Sequence, residues 1–189
     1  MSQKKSSRKG SSFEREICEK ISLWWSGGEN DAIFWRTSGS GARARVRSKK
    51  GKATSWQHGD IAAIDPCGRP LIDKLVIELK RGYNKVTMVD LLDSPLTSSS
   101  LFEEWIDQVQ SSAMESAEDF AGPKQWAIIH KRDRREPLIY ISLSLYIKLP
   151  TICPCVSWTS LNKDSLVGMQ LDDFLEQTSP KQLMDALND

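Results

Sequence analysis

In the run Val76-Ile77-Glu78-Leu79-Lys80 an acid and an amine stand two positions apart. Side chains alternate along a β-strand, so Glu78 and Lys80 would share one face, and Ile77 and Leu79 the other. Asp60 stands upstream at the start of another short apolar run. If the two runs are neighbouring strands, their carboxylates repel unless a cation sits between them. Paired hard-oxygen ligands suit a divalent cation that polarises a phosphoryl group and generates hydroxide. Lys80 beside them could position the attacking water, help deprotonate it or stabilise developing phosphorane charge. The plain alternative is a same-face ion pair with Asp60 as an ordinary strand-initiating acid. Of the 25 acidic residues only Glu78 has lysine two positions on, and it closes the chain's most regular strand pattern. Both facts favour chemistry.

The surrounding pattern supplies elements to hold these groups. Phe13, Ile17, Ile21 and Trp24 recur at helical spacing, and Gly27-Gly28 ends that segment. Ala32 to Arg36 reads as a strand, Asp60 to Ile64 as a second and Leu71 to Lys80 as a third. The turn Asp65-Pro66-Cys67-Gly68 should make the last two a hairpin. Ile106, Val109, Ala113, Ala117 and Phe120 predict a helix over 102–120, followed by strands at Trp126 to His130 and Leu138 to Leu145. The expected class is α/β with a mixed sheet flanked by helices.

Along the chain this gives a polar, disordered basic tail (1–10), a core (11–146) with a loop at 37–56 and an insertion at 81–101, and a C-terminal extension (147–189) of mostly short helices. No apolar run approaches the roughly 20 residues of a spanning helix, and the start lacks a secretory pattern. A cytoplasmic protein without membrane contact is expected, its four cysteines reduced. Cys153 and Cys155 could form half of a zinc site, but no second close pair exists.

Formal net charge is +1, yet Arg36, Arg43, Arg45, Arg47, Lys49, Lys50 and Lys52 fall in one stretch without an acid. Such a block suits a polyanion, and the alternative is a solvated loop. Trp56 could stack on a base or be buried in the core, and His58 would share Asp60's face if the strand extends, the alternative being a surface histidine.

Four segments carry a resemblance: Gly10-Ser-Ser-Phe-Glu14-Arg-Glu16, Trp35-Arg36-Thr-Ser38-Gly-Ser40-Gly41, Gly59-Asp60-Ile61 and Ile77-Glu78-Leu79-Lys80. In order and spacing they resemble the archaeal Holliday-junction resolvases and related phage endonucleases of the PD-(D/E)XK superfamily. The resemblance implies a restriction-endonuclease-like αβββαβ core. It implies Asp60, Glu78 and Glu14 as ligands for Mg2+ (or Mn2+) with the Leu79 backbone carbonyl, and Lys80 as catalytic lysine. It also implies that Arg36 with Ser38 or Ser40 contacts the scissile phosphate. From the residues alone, Glu14 reads equally as the partner of an Ser11 N-cap. Gln108 resembles a glutamine that some relatives place near the site.

The loop before Asp60 is longer and more basic than in compact resolvases, the insertion after Lys80 is larger, and a tail is added. The expected function is a metal-dependent DNA endonuclease on duplex, branched or four-way DNA, structure-selective or of low specificity. It would serve phage or bacterial recombination, repair or DNA processing, and a homodimer would match the two cleavage points of a junction. Alternatives are a catalytically idle nucleic-acid-binding module on the same fold and a sequence-specific restriction enzyme.

Overall fold

A computed structural model describes residues 3–37, 59–93, 100–119, 124–150, 153–158 and 165–189. Helix α1 (Gln3–Trp25) leads into an antiparallel strand pair, β1 (Phe34–Arg36) and β2 (Ile61–Ala63). A 3-10 turn (Pro66–Gly68) and helix α2 (Arg69–Lys74) precede β3 (Leu75–Arg81). Helix α3 (Asp90–Asp93) and the long α4 (Leu101–Asp119) follow, then β4 (Gln125–Lys131), β5 (Leu138–Ser142) and α5 (Leu143–Tyr146). The chain ends with β6 (Cys155–Trp158), β7 (Leu166–Gln170), α6 (Leu171–Gln177) and α7 (Pro180–Asn188).

Strands β3-β4-β5-β7-β6 form one sheet in that order, with β3 parallel to β4 and the remaining neighbours antiparallel. The alternation of β3 divides the core. Ile77 and Leu79 join Phe13, Ile17 and Ile21 of α1, together with Phe174 and Leu183 from the C-terminal helices. Val76 joins Phe102, Trp105, Ile106 and Val109 of α4, with Ile128 and Tyr140. Burying each large side chain contributes roughly 1.5–3 kcal/mol, so the helix on each face clamps β3 from its own side. Glu78 and Lys80 are in phase with Val76 and therefore stand on the α4 face.

Several expectations are corrected, among them the strand expected over Leu138 to Leu145, which ends at Ser142 and turns helical from Leu143. Leu71 to Lys74 are helical rather than extended, because the chain winds on from the Asp65-capped turn with Pro70 in the first helical turn, where proline's fixed φ suits a helix. The hairpin of the second and third strands is therefore absent. Strand β2 pairs with β1, and β3 pairs with β4. The segment 3–10, expected to lack structure, belongs to α1, whose Lys, Arg and Gln residues are good helix formers. Ser11 consequently lies inside the helix, which removes the N-cap reading of Glu14.

Residues 147–189 are more than short helices. Strand β7 lies between β5 and β6 and pairs with both. Gly168 makes this possible, since a Cβ there would meet the Tyr140 ring at 2.7 Å. Trp24 Nε1 donates to the Thr178 carbonyl at 2.8 Å, fastening α1 to the same C-terminal region. Among the described residues no helix is long and apolar enough to cross a membrane.

Candidate active site

Strand β2 reaches the edge of β3 through Asp60. Its N–H donates to the Ile77 carbonyl at 2.8 Å, and its Oδ2 accepts from the Leu79 N–H at 2.8 Å. The carboxylate thus takes the place of a main-chain carbonyl in the ladder, which holds it against the Glu78–Leu79 peptide. Gly59 permits this approach. Its φ is +80°, and a Cβ would lie 2.7 Å from the Ile77 oxygen. Thr37 seals the other side, donating from its N–H to the Asp60 carbonyl at 2.9 Å and from Oγ1 to the Gly59 carbonyl at 3.0 Å.

Glu78 is buried, with 6% of its surface exposed, as is Asp60 with 4%. Removing a carboxylate from water costs several kcal/mol unless charge and hydrogen bonds replace the solvent. For Glu78 the replacements are visible. Lys80 Nζ lies 2.8 Å from Oε1, and Gln108 Nε2 of α4 donates to the same oxygen at 2.8 Å. Lys80 Nζ also donates to Gln108 Oε1 at 3.1 Å, closing a triangle of three side chains. The ammonium lies 5.7 Å from the Trp105 ring centre, where the ring face adds attraction for a cation.

Glu14 extends from α1 and pairs with Arg36 Nη1 at 3.2 Å. Cys18, one turn along α1, senses Glu14, Asp60 and Arg36 together. Burial chiefly pushes its thiol up to about 12, the two carboxylates add to the rise, and Arg36 opposes it. The helix face bearing Glu14 and Cys18 therefore borders the Asp60 end of β2. Glu16 pairs with Lys131 at 2.6 Å, whereas Lys20 pairs with Asp172, so these two helix neighbours serve packing contacts elsewhere.

Ser38, Ser40, Arg43, Arg45, Arg47, Lys49, Lys50 and Lys52 lie outside the described residues, as do Trp56 and His58. Sequence reasoning singled out Gln108 through likeness alone and passed over His130 and Trp105. His130 is the register partner of Lys80, with its ring 5.0 Å from Trp105. Its Nε2 meets the Gly82 carbonyl at 3.0 Å, so that nitrogen carries the proton. Burial holds the His130 pKa below its ordinary value, against the pull of that hydrogen bond. The available signal was the strand phase that sets His130 beside Lys80, but it required knowing which strand pairs with β3.

Among the described residues no three His, Cys, Asp or Glu side chains form a ready metal cage. The donor chemistry nevertheless fits a small hard cation, since Mg2+ commonly takes only one or two carboxylates and keeps several waters or substrate phosphate oxygens. Asp60, Glu78 and the intervening Leu79 carbonyl are oxygen donors of that kind.

A mixed five-stranded sheet between helices, with an acid at the sheet edge and a Glu-x-Lys on the neighbouring strand, defines the PD-(D/E)XK nuclease type. The chain belongs to the family described as Phage putative PDDEXK endonuclease, which it matches over residues 5–185. That span includes β7 and most of α7, so the C-terminal strands are part of what the family shares. No curated protein and no solved structure matches the chain.

Proposed function

We propose that this chain is a Mg2+- or Mn2+-dependent endonuclease that hydrolyses phosphodiester bonds of DNA in the cytoplasm of a bacterial or phage-infected host cell. The observation that carries the reading is a buried carboxylate bonded to the Leu79 N–H beside a second buried carboxylate, Glu78, on the preceding residue of β3, which is paired with Lys80. Asp60 is fixed by the Leu79 N–H, and Glu78 by Gln108 and Lys80.

Asp60, Glu78 and the Leu79 carbonyl would hold the cation, and Glu14, now paired with Arg36, would be a further oxygen donor. A divalent cation bound there supplies Lewis acidity towards the phosphoryl group and lowers the pKa of water. Lys80 orients the attacking water and offsets charge growing on the phosphoryl oxygens. Gln108 orients the Glu78–Lys80 pair from α4, since it donates to one and accepts from the other. Arg36 turns from Glu14 to the scissile phosphate, for which its guanidinium is the better geometric match. A structure-selective activity of the junction-resolving kind, in recombination, repair or DNA processing and served by a homodimer, is the sharpest form of this reading.

The test is cleavage of plasmid and branched DNA with Mg2+ by Asp60→Asn and Glu78→Gln variants. Both should lose cleavage yet bind DNA as well as the parent or more tightly, because a negative charge facing phosphate has gone. Calorimetry with Mn2+ should show binding by the parent and a large loss in Asp60→Asn. Full activity in either variant overturns the assignment.

A further inference from the structure

Beyond the carboxylate site, the same end of the sheet carries a ridge that the chemistry above does not use. Strands β3 and β4 are parallel and in register, Lys80 opposite His130 and Arg81 opposite Lys131. The segments that follow them, 82–84 and 132–136, therefore leave the sheet side by side. They are joined tightly. Asn84 Nδ2 donates to Asp133 Oδ2 at 3.1 Å, and the Asp133 N–H donates back to Asn84 Oδ1 at 2.7 Å. The Gly82 N–H donates to the Lys131 carbonyl at 3.0 Å, and Arg81 pairs with Asp133 at 3.1 Å.

Two features set this ridge apart. Among the described residues the only non-glycine residues with positive φ are Tyr83 (49°) and Arg134 (59°), and both are here. Large side chains take that conformation at a cost, and such costs collect where a side chain must be aimed. The second feature is what they aim. Tyr83 is half exposed, and its ring stands edge-on to Trp105 at 5.1 Å, the same Trp105 that lies beneath Lys80. Arg132, Arg134 and Arg135 fall within one short turn, with Arg134 and Arg135 exposed. Of the turn's two acids, Asp133 is engaged by Arg81 and Asn84, leaving Glu136 as the other.

An exposed aromatic ring beside a row of arginines is the combination that holds an unpaired nucleotide, the ring stacking on the base and the guanidiniums tracking phosphates. We infer that Tyr83 and the Arg132–Arg135 turn form a contact site for a nucleotide flipped out or left unpaired next to the cleavage centre, which makes DNA with an unpaired base the preferred substrate class. This rests on the nuclease reading for its location but is measurable without cleavage.

The probes are a duplex carrying one bulged 2-aminopurine and the same duplex fully paired, titrated with full-length protein in EDTA. The parent should bind the bulged duplex more tightly and quench the 2-aminopurine by stacking. Tyr83→Gly removes the ring and its contact with Trp105 while relieving the positive φ, and an unchanged melting temperature excludes loss of folding as the cause of its result. It should lose the preference for the bulge, by about 5- to 100-fold if one stacked base is lost, and lose the quench. Tyr83→Trp should keep both. Arg134→Ala with Arg135→Ala should weaken binding to both duplexes and flatten the salt dependence by about 0.9 per lost phosphate contact. Equal behaviour of Tyr83→Gly and parent on the two probes overturns the inference, as does a parent that neither prefers the bulge nor quenches. A parallel plasmid cleavage assay with Mg2+ separates the two readings. A protein that cleaves but shows no Tyr83 effect loses only the ridge, and one that stacks the base but never cleaves loses only the nuclease.

Discussion

Gln108 and Lys80 meet at a single oxygen of Glu78: the Gln108 amide nitrogen and the Lys80 ammonium each lie 2.8 Å from Oε1, while the Gln108 carbonyl oxygen accepts from that ammonium at 3.1 Å. A neutral amide can serve both partners at once, donating to the acid through its nitrogen and accepting from the amine through its oxygen. Gln108→Ala should therefore leave Glu78 and Lys80 paired but no longer oriented from α4. Turnover should fall by about 10- to 100-fold, the range typical when a partner that orients a metal ligand is removed. Gln108→Glu, which sets a like charge against Glu78, should be worse than alanine. An alanine variant with unchanged kcat would show that Gln108 only fills space between α4 and β3.

Lys80 is expected to act on the reaction rather than on the cation, because an ammonium has no lone pair to offer a metal. Lys80→Ala should lower kcat by at least about 100-fold, the effect typical of a lost charge stabiliser or proton-transfer group. Metal affinity measured by calorimetry should stay level or rise, since Glu78 loses a competing partner. Matched losses in kcat and metal affinity would reduce Lys80 to a prop for Glu78.

Gly59 is where the backbone limits the site. Its φ of +80° and the 2.7 Å clearance from the Ile77 oxygen leave no room for a methyl group. Gly59→Ala should cost about 1–3 kcal/mol, as forced positive-φ residues do, and should shift Asp60 off the Leu79 N–H. Chemical denaturation should report the stability loss, and a plasmid assay should show activity falling further than stability explains. A variant as stable and active as the parent would mean that the β2–β3 edge can relax.

The basic block between Arg36 and Asp60 is proposed as the arm that grips DNA. Replacing Arg43, Arg45 and Arg47 together by alanine should weaken binding to every sequence and lower the slope of log K against log salt by roughly 0.9 for each lost duplex contact. Cleavage at saturating DNA should suffer less. An unchanged affinity and slope would make the block a solvated loop and shift the phosphate contacts to the Arg132–Arg135 turn.

Much of the architecture was legible because it is written in local periodicity. The i, i+4 apolar spacing of α1 and α4 and the alternation of β3 depend only on which side chains lie one turn or one pleat apart, so Glu78 and Lys80 fall on one face whatever β3 pairs with. The family resemblance carried by Glu14, Asp60, Glu78 and Lys80 agrees with the family to which the chain belongs. What failed was the competition between two local signals. Leu71 to Lys74 are as apolar as a strand start, and only the preceding capped turn and Pro70 send them into α2.

Tertiary structure alone decided the partners. No spacing in the sequence reveals that the Asp60 carboxylate takes the Leu79 N–H, that Gln108 reaches across from α4, or that β7 enters the sheet between β5 and β6. Each joins segments far apart in the chain, where the choice rests on small differences in burial and hydrogen bonding among many alternatives. The ridge of Tyr83 and Arg134 is the same case. The segments bearing these two turn residues lie side by side only because β3 and β4 run parallel and end together.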